Sequence, residues 1–289
     1  MAYPVFRGQK KLGTIDYSEI EISEEEAKKR DDQYEKLKSK ATEKISREGQ
    51  IRLICGDALM KMHGIESESI DLILTDPPYE QVDYLLTQRL TNMQKNSCVD
   101  MFSRILKRTG SIIMFCGQDD KYIWHNLLSQ KFIFKRELEM IYPPAFSPPK
   151  NFTPTHEGIL FFVKTEDYYW NEKNSNISTV YKCKRSPIGK RNSDKDDYYG
   201  IPRERLGTTP KPLGLVGSFV ETLCPANGVV LDPFMGSGTT GVSCVLKNRN
   251  FIGIEIVKNI FSFAEKRIES IRSINRFGVS NQQVENVTS

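Results

Sequence analysis

The chain has no long apolar run; Ile159 to Val163 is typical of its longest. A membrane-spanning helix needs about 20 such residues, so none is expected. The opening residues, Met-Ala-Tyr-Pro-Val-Phe-Arg, lack the apolar centre of a secretory leader. The expected setting is cytoplasmic, at the nucleoid if the source is bacterial or a phage. Closely spaced cysteines are missing as well. Cys55, Cys98, Cys116, Cys183, Cys224 and Cys244 are scattered, and so are the three histidines, His63, His125 and His156. Zinc sites and redox pairs usually show Cys-x₂-Cys or a similar spacing, so no metal is expected. The thiols read as reduced, mostly buried small apolar residues. A strong charge imbalance is also lacking, since a net +4 is too little to identify a partner. No internal repeat is present.

What is there fits a globular α/β protein. The 289 residues are 38% apolar and 27% charged, enough for a real core in one large domain or two small ones. Residues 1–50 read as an extension. Within it Ser23 and Glu26 form a capping box, and Glu24–Lys28, Glu25–Lys29, Glu26–Arg30 and Glu43–Arg47 are i,i+4 pairs of a solvated helix over Ser23–Glu48. Its apolar seam, Tyr34, Leu37, Ala41 and Ile45, is thin. From Ile51 strands and helices alternate. Strands are expected at Ile51–Cys55, Asp71–Thr75, Ser111–Cys116, Phe132–Tyr142, Gly158–Val163, Val229–Leu231 and Phe251–Ile256. Helices are expected through Cys98, Met101, Phe102, Ile105 and Leu106, ended by Thr109-Gly110, and over Lys121–Ser129, Leu213–Leu223, Thr239–Lys247 and Ile260–Ile271. Pro143–Pro154 reads as a loop and 277–289 as a polar tail. This alternation predicts a doubly wound, mostly parallel sheet.

Two loops carry the chemistry. Val229-Val230-Leu231 runs into Asp232-Pro233-Phe234-Met235-Gly236-Ser237-Gly238, and a helix opens at Thr239. Gly236 and Gly238 allow a tight turn and a close backbone approach to a ligand, while the helix start offers free N–H groups. Glu255 ends the next strand, where a carboxylate can accept both hydroxyls of a ribose. A P-loop is excluded, because no Lys-Ser/Thr follows the glycines. Gly236-x-Gly238-x-x-Gly241 with Glu255 also fits the dinucleotide fingerprint of a nicotinamide or flavin oxidoreductase. Against that, only 34 residues follow Glu255, too few for the second half of such a fold.

The second loop is Asp76-Pro77-Pro78-Tyr79, delivered by the apolar strand Asp71–Thr75 to the sheet edge where α/β proteins bind ligands. The prolines stiffen the backbone and supply carbonyls without donors. A ring-attached amine is a poor nucleophile, because its lone pair is delocalised into the ring. Accepting hydrogen bonds from both of its N–H groups, by Asp76 and the Pro77 carbonyl, pulls the nitrogen toward tetrahedral geometry and frees that pair, with Tyr79 stacked on the base.

Asp-Pro-Pro-Tyr followed by Asp-Pro-Phe-x-Gly-Ser-Gly-Thr-Thr resembles the β group of amino-DNA methyltransferases, over about Ile51 to Ile271. The resemblance implies an S-adenosylmethionine-dependent enzyme with a circularly permuted, Rossmann-like methyltransferase domain over 51–276, as in restriction–modification systems. It assigns the catalytic role to Asp76, Pro77, Pro78 and Tyr79. It places the cofactor's adenine at Asp57 and the methionine end at Lys211 with Thr208 or Thr209. The glycine turn, with Asp232, Pro233, Phe234, Gly236, Ser237, Gly238 and Thr239, and the ribose acid Glu255 complete that site. His156-Glu157 matches a family element beside the target pocket. Where relatives often have Trp-x-Lys this chain reads Met140-Ile141-Tyr142-Pro143, which makes Tyr142 the candidate second wall of the base pocket. Ser147-Pro148-Pro149-Lys150 mimics a catalytic variant without its aromatic and reads as a loop.

The resemblance puts target recognition in an insertion at about 165–207. Between Val180 and Arg205 eight basic residues stand against four acidic ones, an excess equal to that of the whole chain. Lys182, Lys184, Arg185, Lys190 and Arg191, interleaved with Tyr181, Tyr198 and Tyr199, are the expected contacts to duplex DNA. Asp76 in place of serine favours adenine N6, with cytosine N4 the alternative. An RNA acceptor, or a non-catalytic DNA-binding protein on this fold, are further readings. Relatives of this kind are often homodimers, and nothing in the sequence marks an interface.

Overall fold

The computed structural model describes residues 50–78, 90–143, 152–174, 177–183 and 210–276. The expected N-terminal helix, Tyr79, the Ser147–Lys150 loop, Thr208 and the polar tail lie outside them. The elements are β1 (Ile51–Cys55), α1 (Ala58–Met62), β2 (Ile70–Thr75), α2 (Asn92–Ile105), β3 (Leu106–Cys116), α3 (Gln118–Leu128), β4 (Ile133–Ile141), β5 (His156–Val163), β6 (Val180–Lys182), α4 (Leu213–Leu223), β7 (Val229–Asp232), α5 (Thr239–Leu246), β8 (Asn250–Glu255) and α6 (Lys258–Arg276). Among the described residues the strands form one sheet, ordered β1-β8-β7-β2-β3-β5-β4-β6. Pairing is parallel except that β5 lies antiparallel to both β3 and β4, so β5 alone is reversed.

The central strand β2 is buried along its whole length, as a parallel strand covered on both faces must be. Its side chains alternate between two cores. Leu72 and Leu74 join Phe115, Phe219 and Val242 beneath α4 to α6, whereas Ile73 joins Phe102, Met114 and Trp124 beneath α1 to α3. The acid within this apolar strand is satisfied. Asp71 accepts from Lys107 Nζ at 2.8 and 2.9 Å and from the Val229 N–H at 2.8 Å, tying the starts of β2, β3 and β7 together. The helix α2 begins with a full capping box between Thr91 and Gln94.

Three local expectations change. Leu106 begins β3 instead of ending α2, and Thr109-Gly110 lies inside that strand. The reason is a bulge: Ile70 pairs with Leu106 but Leu72 with Ser111, so β3 spends five residues where β2 advances two. The short α1 and the three-residue β6 carried no periodic signal. β5 also starts earlier than expected, taking in His156 and Glu157. Five of the six cysteines are buried and all are free; burial pushes the Cys98 thiol up to about 12.

Candidate active site

The residues singled out in the sequence gather where the parallel strands end. The Gly56 N–H donates to the Glu255 carbonyl at 2.9 Å, which brings the turn after β1 against the end of β8. Asp57 caps α1 there, its Oδ1 accepting from the Met60 N–H at 3.0 Å. In the glycine turn Gly236 has φ 51° and Gly238 φ 81°, values that side chains rarely tolerate. The turn is braced from three sides. The Met235 N–H donates to Ile254 O at 2.9 Å. Glu255 accepts from the Gly236 N–H at 3.1 Å and the Val257 N–H at 2.8 Å. Arg267, a residue of α6 not foreseen as part of the site, donates to Ser237 O at 3.0 Å and Thr239 Oγ1 at 3.1 Å. Its guanidinium is pushed down to about 10 by burial. The signal for it was its place on α6: it interrupts the apolar face made by Ala264, Ile268 and Ile271.

The outer side of this turn is open. A Cβ placed on Gly236 meets nothing within 4 Å, whereas one on Gly238 meets Ala264 and Ile268 at 3.0 Å. An open backbone above Gly236, the first turn of α5 and a carboxylate at Glu255 suit a nucleoside with a polar substituent. Burial raises the Glu255 carboxyl above its ordinary range, against the backbone donors that favour its charge.

Asp232 lies beneath the turn, 4% exposed. It accepts from the Thr240 hydroxyl at 2.7 Å and the Phe234 N–H at 3.2 Å, so it builds the turn. Burial pushes its carboxyl up to about 7, with the Asp76 charge adding to the rise. A carboxyl raised in the folded state favours folding below its ordinary range near 4, and that contribution is lost as pH climbs through about 7. Asp232→Asn therefore gains stability relative to the parent between pH 5 and pH 8, by a few kcal/mol at about 1.4 per pH unit. Denaturant midpoints of the ligand-free proteins at both pH values measure this. An identical pH response in the two would assign the ionisation elsewhere.

One strand over, β2 delivers Asp76, half-buried, and Pro77, buried. Ile73 pairs with Leu231, so Asp76 stands just beyond Asp232 on the neighbouring strand. From β7 the chain passes to α5 on one face, and β2 is followed by α2 on the other, so a crevice opens between these two strand ends. Lys211, placed just before α4, points into it. Its Nζ lies 2.8 Å from Asp76 Oδ2, 2.9 Å from Glu157 Oε2 and 5.3 Å from the centre of the Phe115 ring. Burial opposes this ammonium, but the carboxylates of Asp76 and Glu157 outweigh it and raise its pKa. Lys211, expected near the methionine end of a cofactor, is held here by two acids, the counter-charges that a buried ammonium needs. The role of Glu157 was missed, because nothing local to His156-Glu157 announces a partner 54 positions later.

The expectation for Tyr142 is corrected. It is 6% exposed, its hydroxyl donates to His156 O at 3.4 Å, and burial pushes it up to about 12. Packed into the core, it offers no open stacking face. Tyr181, expected among DNA contacts, is half-buried against the same core. Lys182 ends β6 at the outermost strand, exposed, on the edge that carries Asp76. Lys184, Arg185, Lys190 and Arg191 lie outside the described residues.

Comparison with known proteins agrees with this geometry. A family described as DNA methylase, covering N6 and N4 enzymes, matches residues 70–266. The chain is similar to the type II methyltransferase M.HpaI of Haemophilus parainfluenzae, 30% identical over 237 residues that cover 76% of this chain and 74% of the relative. It is also similar to the DNA adenine methyltransferase YhdJ of Escherichia coli strain K12, 26% identical over 241 residues, 75% of this chain and 82% of the relative. Among solved structures the M1.HpyAVI–SAM complex has the same fold, with a TM-score of 0.54 at 22% identity over 76% of this chain and 100% of that one.

Proposed function

The chain belongs to the N6/N4 DNA methylase family of S-adenosylmethionine-dependent amino-DNA methyltransferases, and on that premise we propose that it methylates the N6 amino group of adenine in duplex DNA at a short target sequence. The observation that carries this reading is the crevice itself, where Asp76-Pro77 and the Asp232–Gly238 turn stand at the ends of adjacent strands. An acid at Asp76 and the likeness to an adenine-specific relative support adenine over cytosine N4.

In this reading Glu255 holds the ribose of the cofactor, Asp57 its adenine, and the open backbone at Gly236 with Ser237, Gly238 and Thr239 the rest of the nucleoside and its methionine arm. S-adenosylmethionine, when bound, supplies a methyl carbon on a positively charged sulfur, to which the electrons of the broken C–S bond return. The target base is buried in its stack, so it swings out of the duplex to reach the crevice. Asp76 and the Pro77 carbonyl accept the two N–H groups of its amine, Pro78 keeps that backbone rigid, and Tyr79 stacks on the ring. As the new N–C bond forms, the nitrogen becomes far more acidic than a carboxylic acid. Its extra proton passes to the Asp76 carboxylate and on to water. Little is required beyond alignment and this one acceptor.

The insertion at about 165–207 reads the target, with Lys182, Lys184, Arg185, Lys190 and Arg191 on phosphates; residues 1–50 form an extension of the catalytic domain at 51–276. The test is chromatography of nucleosides from duplex DNA incubated with the protein and labelled S-adenosylmethionine. Label is expected in N6-methyl-2′-deoxyadenosine; N4-methyl-2′-deoxycytidine alone would overturn the adenine assignment.

A further inference from the structure

The crevice holds more charge than an amine acceptor requires. Asp76, Glu157 and Asp232 bring three carboxyl groups to one edge of the sheet, beyond the end of β2, at the start of β5 and at the end of β7, and among the described residues Lys211 bridges two of them. Among the described residues the other titratable groups around Asp76 do not offset that excess. Cys116 and Tyr142 are held neutral by burial, and Asp120 and Lys121, at the start of α3, are paired with Lys95 and Glu137. Carboxylates this close do not all ionise near neutrality unless a cation is among them.

We propose that Lys211 and Glu157 are positioning residues for the transfer: the ammonium keeps Asp76 anionic and fixes the plane of its carboxylate, and Glu157 holds the ammonium in place. This inference rests on the amine-accepting role given to Asp76 above. Lys211 is delivered by the turn whose Pro212 is the N-cap of α4, and Glu157 by the first turn of pairing in β5, opposite Met140. Neither can leave without moving a core element. Phe115 closes the space beneath the ammonium, so water does not replace either carboxylate easily. Two acids on one base leave the triad with one net negative charge, directed at a nitrogen that gains positive charge during transfer. When the nitrogen sheds its proton, Asp76 accepts it while Lys211 turns more fully to Glu157, so the ammonium is never left buried alone.

The test is the pH profile of single-turnover methyl transfer to duplex DNA, measured with S-adenosylmethionine affinity by calorimetry. Lys211→Met is expected to move the acid limb of the profile up by about one pH unit or more, because Asp76 then competes with two other acids for a proton. Its S-adenosylmethionine Kd stays close to the parent's, which separates this role from a direct cofactor contact. Glu157→Gln moves the limb down, and the double variant falls between the two. Lys211→Arg keeps the charge and holds the limb near the parent's. An unmoved limb in Lys211→Met, or a large loss of cofactor affinity there, would overturn the proposal. If Lys211→Met does not fold, Glu157→Gln decides it, and an unmoved limb in that variant overturns it equally. Asp76→Ala is the control for the underlying reading: transfer retained in that variant removes the amine-accepting role itself, whereas transfer lost there with unmoved limbs in the others removes only Lys211 and Glu157.

Discussion

Asp76→Ala is expected to lower methyl transfer to duplex DNA by on the order of 10²- to 10³-fold while cofactor affinity stays near that of the parent. The expectation follows from where the carboxylate stands. It lies beyond the end of β2, facing the crevice, and its ion pair runs to Lys211 and not to the glycine turn. Removing it takes away the acceptor that localises the amine's lone pair and receives its proton, and leaves Gly236, Glu255 and Asp57 untouched. Alanine also deprives Lys211 of a counter-charge, so the thermal midpoint is measured alongside. Asp76→Asn separates charge from shape, because the amide oxygen still accepts one N–H but takes up no proton. Its rate should fall between those of the parent and Asp76→Ala. Single-turnover transfer and titration calorimetry read the two quantities independently, and equal losses in both would take Asp76 away from the reacting edge.

The second large effect distinguishes two glycines five positions apart. Gly236→Val projects a branched side chain into the open space above the turn, where no protein atom lies within 4 Å. It should weaken S-adenosylmethionine binding by about 10- to 100-fold, the equivalent of the 1–3 kcal/mol typical of overpacking. The φ of 51° adds about 1–2 kcal/mol of backbone strain that lowers stability modestly. Gly241→Ala does the reverse. Its Cβ would stand 2.5 Å from Ile268 Cδ1 and 2.8 Å from Phe251 Cε1, where α5 packs on α6 and β8. Stability should drop by about 1–3 kcal/mol, with binding intact in the fraction that folds. Calorimetric titration and denaturant unfolding of both variants give the comparison. A Gly236 variant that binds normally would show that the ligand does not approach this backbone.

These expectations rest on features that differ in how plainly the sequence displays them. The strands β2, β7 and β8 are apolar runs that each end in an acid or its neighbour, and Asp76, Asp232 and Glu255 could be placed on one sheet edge before any coordinates. The glycine turn and its helix were legible for the same reason, since a backbone conformation demands particular residues locally. Side-chain partnerships were not. Lys211 reads as a lysine beside a proline, and only the sheet order puts it between Asp76 and Glu157, residues 135 and 54 positions away. Arg267 looks like a blemish on an amphipathic helix until α6 is laid against the turn. Tyr142 was misjudged because a sequence cannot say which face of the chain leaving β4, a strand paired with both β5 and β6, meets the core. The three-residue β6 and five-residue α1 are too short for any period to show.

The strands β1 and β2 are separated by only 14 residues, yet β7 and β8 lie between them, so that Gln50 meets Asn250 across 200 positions. On the ribosome, a gap two strands wide stays open between the edge strand β1 and the rest of the nascent sheet until synthesis has passed residue 255. Pairings this remote in sequence form slowly. The half that would hold the base is therefore made long before the half that would hold the methyl donor, and an interrupted translation product has no means of modifying DNA.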